Sequence, residues 1–402
     1  MKRLTEVDAS GDSLFRNGHL FYRDALKPGP QLDALTLRFL HYLQKELDAF
    51  DNIAHQTASI PTSLNTWSKT ILGTASTNAM MGPSLLRAHP NLLPSVWLVE
   101  TGFFLFVNKI PRLLAWKHYR ARDHVLEAFT SYFEDERNKE GGERMIWERE
   151  AQLRQKGLST RDVAAYSYSV YAVRILPFPY TCSHNHVFAS GVRKSPTTPN
   201  LFPKPPLPPN RLLNNANPTA YWLLRRIYTH PNVLPKLRAE VAPAFPPGSK
   251  SITTLHQIHH LLTACPLLRA FYDETLRLHS YSSSNRIVAA PKAEDDTPIT
   301  VGGYTLKQGH NLLLPSYAQH HSPHHFGPNP ERFDPLRFLE PVLPGGKPAD
   351  AKMVRAFGGG VSLCSGRFFA GNEVLAYAAT VLWRHDVWSL GGGVCIVPRK
   401  WE

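Results

Sequence analysis

Between Phe357 and Arg367 the chain reads FGGGVSLCSGR, with Cys364 placed after three glycines and just ahead of an apolar stretch. Each residue type there has a chemical use. Gly358, Gly359 and Gly360 allow positive φ and a close approach of the backbone to a flat macrocycle. A cysteine ahead of a helix gains from the positive end of that helix, and amide N–H groups aimed at its sulfur favour thiolate over thiol. Thiolate is the form that ligates iron. The residues that follow, Phe368, Phe369, Ala370, Val374, Leu375, Tyr377 and Leu382, predict a buried helix that holds the loop rigid. Cys364 alone has a plainer reading as a small buried hydrophobe, and the loop by itself leaves both open.

Elements upstream must position that loop, and two motifs bear on how. Glu274 and Arg277 stand three apart on a predicted helix over Pro266 to His279, so their side chains leave from one face. An isolated E-x-x-R is usually a surface pair of small value. Here Leu267, Leu268, Phe271, Leu276 and Leu278 flank it, which predicts burial, and a buried pair needs a second arginine to complete its hydrogen bonds. The later stretch FGPNPERFDPLRFL offers Arg332 and Arg337. Arg286, in SSSNRIV, reads either as a solvated strand-end residue or as a planar cation suited to a carboxylate.

At this point the chain resembles the cytochrome P-450 family, whose haem loop reads F-x-x-G-x-x-x-C-x-G. Phe357, Gly360, Cys364 and Gly366 occupy its four fixed places, while Ser362 stands where the family usually has Arg or His. The resemblance implies a mainly α fold with small β-sheets. It implies haem b (iron protoporphyrin IX) ligated by Cys364, with Phe357, Gly360, Gly366 and Arg286 around it. Aligning on the ending P-x-R-F makes Glu274, Arg277 and Arg337 a structural triad and the PERF of Pro330 to Phe333 a look-alike. The family's distal A-G-x-x-T corresponds to Asn214-Asn215-Ala216-Asn217-Pro218, with Pro218 in the threonine place. That pattern resembles the branch of sterol 7α- and 12α-hydroxylases, prostacyclin synthase and fungal relatives, and it implies that Asn214 and Asn215 serve catalysis on the distal side.

The activity so implied is haem-thiolate monooxygenation of a small lipophilic molecule, of sterol or secondary-metabolite type, with O2 and electrons from an NADPH-cytochrome reductase-type donor. Two rivals stand beside it: a haem-thiolate isomerase or dehydratase needing no reductase, and a non-catalytic remnant or faulty gene product unable to hold haem. The resemblance further implies a monomer at the endoplasmic reticulum membrane. It also implies that early elements and the final, pocket-lining hairpin are largely lacking.

Composition narrows the classes. Hydrophobic residues at 43% supply a core in a chain of 402, read as a single domain. The formal charge of +13 invites nucleic acid, but no nucleic-acid motif or basic helix supports it; an acidic redox partner or an anionic lipid surface fits as well. Cys182, Cys265, Cys364 and Cys395 lack the spacing of a disulfide framework or zinc site. No apolar run reaches a membrane span and the start is polar, so the chain reads as soluble and intracellular.

Helical spacing predicts helices over Gln31 to Phe50, Leu64 to Met81 and Pro94 to Leu114. The charged stretch from Ala115 to Gln155 predicts two solvated helices joined at Gly141 and Gly142. Ser159 and Asp162 form a capping box that starts a helix at Thr160. Nine of the chain's 34 prolines fall between Pro177 and Pro209, so residues 174–213 read as an irregular insert whose Cys182, His184 and His186 are loop residues. Gly302-Gly303 predicts a hairpin turn, and His320, His321, His324 and His325 read as loop.

Overall fold

Leu35, Phe39, Leu40, Leu43 and Leu47 recur at helical spacing, fall on one stripe, and leave water together. They belong to α2 (Pro30–Thr57), which follows α1 (Leu14–Ala25). The computed structural model describes residues 14–57, 60–175, 216–281, 283–288, 299–342, 345–360, 363–390 and 393–399. The first half continues with β1 (Ile60–Thr62), α3 (Leu64–Met81), α4 (Ser84–Ala88), α5 (Leu92–Thr101), α6 (Phe103–Val107), α7 (Trp116–Glu134), α8 (Arg144–Gln155) and α9 (Thr160–Ile175). The second half runs α10 (Ala216–Tyr228), α11 (Leu234–Val241), α12 (Leu255–Thr263), α13 (Pro266–His279), β2 (Ser283–Ile287), β3 (Ile299–Val301), β4 (Tyr304–Leu306), β5 (Asn311–Pro315), α14 (Ser316–His320) and α15 (Pro323–Phe326). It closes with α16 (Arg367–Arg384), β6 (His385–Leu390) and β7 (Gly393–Pro398).

The fold is therefore helix-rich with small antiparallel sheets. α16 is its axle. Val374, Leu375, Ala376, Tyr377, Ala378, Ala379, Val381 and Leu382 are all buried, as α2, α10, α11 and α12 surround this helix. Its far end is tied to α2, where the Asp51 carboxylate accepts from Arg384 Nη2 at 2.5 Å and from His385 Nε2 at 2.7 Å. Two strands pair, β2 with β5, and a tight hairpin joins β3 to β4 through Gly302 and Gly303, both at positive φ. β7 lies between β1 and β6, so the chain's last strands close onto one that follows α2. β6 and β7 themselves form an antiparallel hairpin.

Three expectations need correction. The single helix over Pro94 to Leu114 is two short ones, because the chain turns at Gly102, whose Cα lies against the His118 ring, and the second helix already ends at Val107, ahead of Lys109 at positive φ. The charged pair α7 and α8 is not simply solvated: Phe129, Tyr132, Phe133, Met145 and Ile146 are buried, and so are Arg149 and Glu150. The charges dominate the composition while an apolar stripe decides the packing. The four histidines near 320 lie on or between α14 and α15 instead of in a plain loop. Ser159 caps the start of α9, its Oγ accepting from the Asp162 N–H at 3.2 Å and donating to the Asp162 carboxylate at 2.6 Å. The proline-rich stretch beyond Ile175, including Cys182, His184 and His186, and the distal candidates Asn214 and Asn215 lie outside the described residues. Among the described residues, no helix is long and apolar enough to cross a membrane.

Candidate haem-thiolate site

Pro266 sits at the first turn of α13, where a missing N–H costs nothing, and the helix buries the face that carries Glu274 and Arg277. Both side chains are fully buried. Arg277 grips Glu274 with a two-pronged contact, Nε to Oε2 and Nη2 to Oε1, each 2.7 Å. Arg337 Nε adds a third donor at 3.1 Å, and the Asp334 N–H a fourth at 2.8 Å. The remaining guanidinium protons go to backbone. Arg277 Nη1 reaches the His320 carbonyl at 2.6 Å, Arg337 Nη1 donates to the Phe326 carbonyl, and both arginines share the Arg332 carbonyl. Arg337 is therefore the third member, as the P-x-R-F alignment has it. Arg332 contributes only its carbonyl, its side chain being exposed.

This knot fixes the segment after α15 to α13, and His320 extends it to the cysteine loop. The His320 ring is wholly buried and its Nε2 accepts from the Arg355 backbone N–H at 2.8 Å, two residues ahead of Phe357. Sequence reasoning missed this role, since one histidine among four near neighbours carries no signal of which is inside. Burial, with the Arg277 cation beside it, lowers the His320 pKa from 6.5 to about 4. The folded protein resists protonating it, so stability is kept above pH 6.5 and lost as pH falls through that value toward 4, by about 3 kcal/mol in all. Urea midpoints followed across that range should show this fall. His320→Gln, which keeps an acceptor for Arg355, should flatten part of it, and an unchanged slope would refute the assignment.

The loop itself turns back on its own start. Gly358 N–H donates to the Arg355 carbonyl at 3.1 Å, Leu363 N–H to Gly360 at 3.1 Å, and Cys364 N–H to Phe357 at 2.9 Å. Gly358 and Gly360 have φ of 76° and 62°, the left-handed region where a side chain is strained. Gly366 is the N-cap of α16, so Cys364 lies two residues before that cap, near the positive end of the helix. The Cys364 side chain is half-buried and in no disulfide. From β2, Arg286 Nη2 donates to the Gly359 carbonyl at 3.1 Å, which sets Arg286 against the glycines of the cysteine loop. Tyr272 of α13 is close enough to Cys364 to feel its charge. Burial, with Asp273 and Cys364 adding to it, pushes that phenol far up, so it stays protonated.

Buried charge thus anchors the segment that leads into the loop carrying Cys364. Residues 215–393 match the sequence model of the family described as Cytochrome P450. It is 25% identical over 359 residues to the cytochrome P450 monooxygenase poxD of Penicillium oxalicum, an alignment covering 88% of this chain and 64% of that protein. It is 24% identical over 368 residues to the cytochrome P450 monooxygenase nodJ of Hypoxylon pulicicidum, covering 89% of this chain and 62% of that protein. Over 176 residues, 43% of this chain and 34% of the relative, it is 28% identical to the human 24-hydroxycholesterol 7-alpha-hydroxylase. The chain thus spans less than two thirds of the length of these relatives. That family implies a haem cofactor, and the chemistry of the residues present fits it: a half-buried cysteine just ahead of a helix N-terminus, glycines at positive φ before it, and an arginine alongside.

Proposed function

We propose that this chain is a haem-thiolate monooxygenase that binds haem b through Cys364. It hydroxylates a small lipophilic molecule of sterol or secondary-metabolite type, taking O2 and electrons from an NADPH-cytochrome reductase-type donor. The observation that carries the reading is the placement of Cys364 just ahead of α16, in a loop tied through His320 to the buried Glu274, Arg277 and Arg337. When bound, haem supplies oxygen activation, and electron donation from the thiolate favours O–O cleavage. The chain's own residues do the rest. The helix end favours the sulfur as thiolate, Phe357, Gly360 and Gly366 shape the loop, and the Arg286 guanidinium suits a haem carboxylate. Asn214 and Asn215, just ahead of α10, are assigned to proton delivery on the opposite face. The test is the absorbance of the purified chain reduced under carbon monoxide, followed by NADPH consumption with a reductase present. A thiolate-type Soret band with substrate-dependent consumption supports the proposal. Turnover without a reductase would make it an isomerase, and no haem band would make it a non-catalytic member.

We further propose that it works as a monomer at the endoplasmic reticulum membrane surface. Leu113 (85% exposed), Leu114 (76%) and Trp116 (55%) crowd the turn between α6 and α7 beside Lys109, Arg112 and Lys117. Apolar tips rimmed by cations suit an anionic bilayer surface. Leu113→Glu with Leu114→Glu should weaken binding to vesicles containing phosphatidylserine by about tenfold or more, as expected when two buried leucines are withdrawn. Equal binding in a flotation assay would remove this surface from consideration.

A further inference from the structure

We propose that His19 is a positioning residue for the cysteine ligand, acting through the peptide unit between Leu363 and Cys364. The proposal rests on the reading of Cys364 as the iron ligand. His19 projects from α1, and its Nε2 lies 3.3 Å from the Leu363 carbonyl, across almost the whole length of the chain. A carbonyl can only accept, so the ring is the Nε2–H donor in this contact. The same peptide unit carries the Cys364 N–H, which donates to the Phe357 carbonyl at 2.9 Å. One peptide plane is therefore held at both ends. Donation into the carbonyl polarises the N–H on the other side and strengthens the bond it makes. The next carbonyl, that of Cys364, is taken by Arg367 Nη1 at 3.0 Å. The backbone on either side of the cysteine Cα is thus clamped, from α1 before it and from α16 after it.

α1 is fixed well enough to act as a clamp. At Gly18 it presses so closely on α8 and α9 that an added Cβ would stand 2.2 Å from the Tyr166 hydroxyl and 3.0 Å from Arg149 Nη2. Arg149 is itself buried and donates to Tyr166 through Nε and Nη2, at 3.2 and 2.9 Å. Tyr22, one turn on, is buried in the core. The rotation of α1 about its axis is set by these contacts, and His19, one residue after Gly18, is thereby aimed at the loop.

Two readouts test the proposal on the whole chain, comparing His19→Ala and His19→Gln with the parent. The first needs no haem: the rate at which iodoacetamide alkylates Cys364 in the apo chain, read by peptide mass spectrometry. The second is the share of the reduced carbon monoxide complex that absorbs at the thiolate position. His19→Ala should speed alkylation and lower the thiolate share by about three- to tenfold, the shift one hydrogen bond of this kind makes. His19→Gln places an amide N–H near the position of Nε2 and should restore both. Unchanged alkylation and an unchanged thiolate share in His19→Ala would overturn the proposal. So would a glutamine variant as defective as the alanine one, since that would make His19 a packing residue. If the parent takes up no haem, the proposed function fails, while the alkylation rates still decide whether His19 holds the loop.

Discussion

Cys364→Ala is expected to abolish every thiolate-type feature of the haem spectrum, leaving a chain that folds but binds haem weakly or not at all. The other described cysteines cannot replace it. Cys265 is buried where burial and the Glu240 carboxylate push its thiol up to about 12, so it does not ionise near neutral pH. Cys395 is buried in β7, within the closing sheet. Cys265→Ala and Cys395→Ala should therefore keep the parent's spectrum. The loss in Cys364→Ala should be complete, because among the described residues the other cysteines are Cys265 and Cys395, both buried elsewhere. A thiolate band surviving in that variant would refute the site.

Glu274→Gln should cost about 3–5 kcal/mol, the loss typical of a buried pair deprived of one partner. The substitution keeps the shape of the side chain and removes its charge, leaving Arg277 and Arg337 buried without an anion. A loss of that size approaches the whole stability of many domains, so little folded protein should accumulate. Arg337→Lys should be milder. It retains a charge near Glu274 but cannot also span the Phe326 and Arg332 carbonyls as the guanidinium does. Equal urea midpoints for parent and Glu274→Gln would show that the knot does not hold the fold.

Much of this was legible in the sequence where the signal was local. Pro266 and the apolar flanks of Glu274 marked α13 with its true ends, and the i, i+3 spacing made the first ion pair. Leu64 to Met81 is a helix over those same bounds. Arg337 was harder, since Arg332 stands in a more literal match, and only the backbone decides which side chain turns inward. Signals failed where the partner is distant. Nothing near His19 announces that its ring meets Leu363. The charged run over α7 and α8 misled in the opposite way. Composition registers the many exposed charges and misses that Arg149 and Glu150 are inside.

The pairing of Ile60 with Ile396 in β1 and β7 has a consequence for the order of assembly. A ribosome adding roughly 5–20 residues per second releases the first of these strands many seconds before the second exists. Through that interval β1 has no neighbour, and Asp51 waits for Arg384 and His385. Folding that starts from the N-terminal helices can thus be sealed only once β7 has been made. Newborn chains should lean on chaperones until that strand emerges.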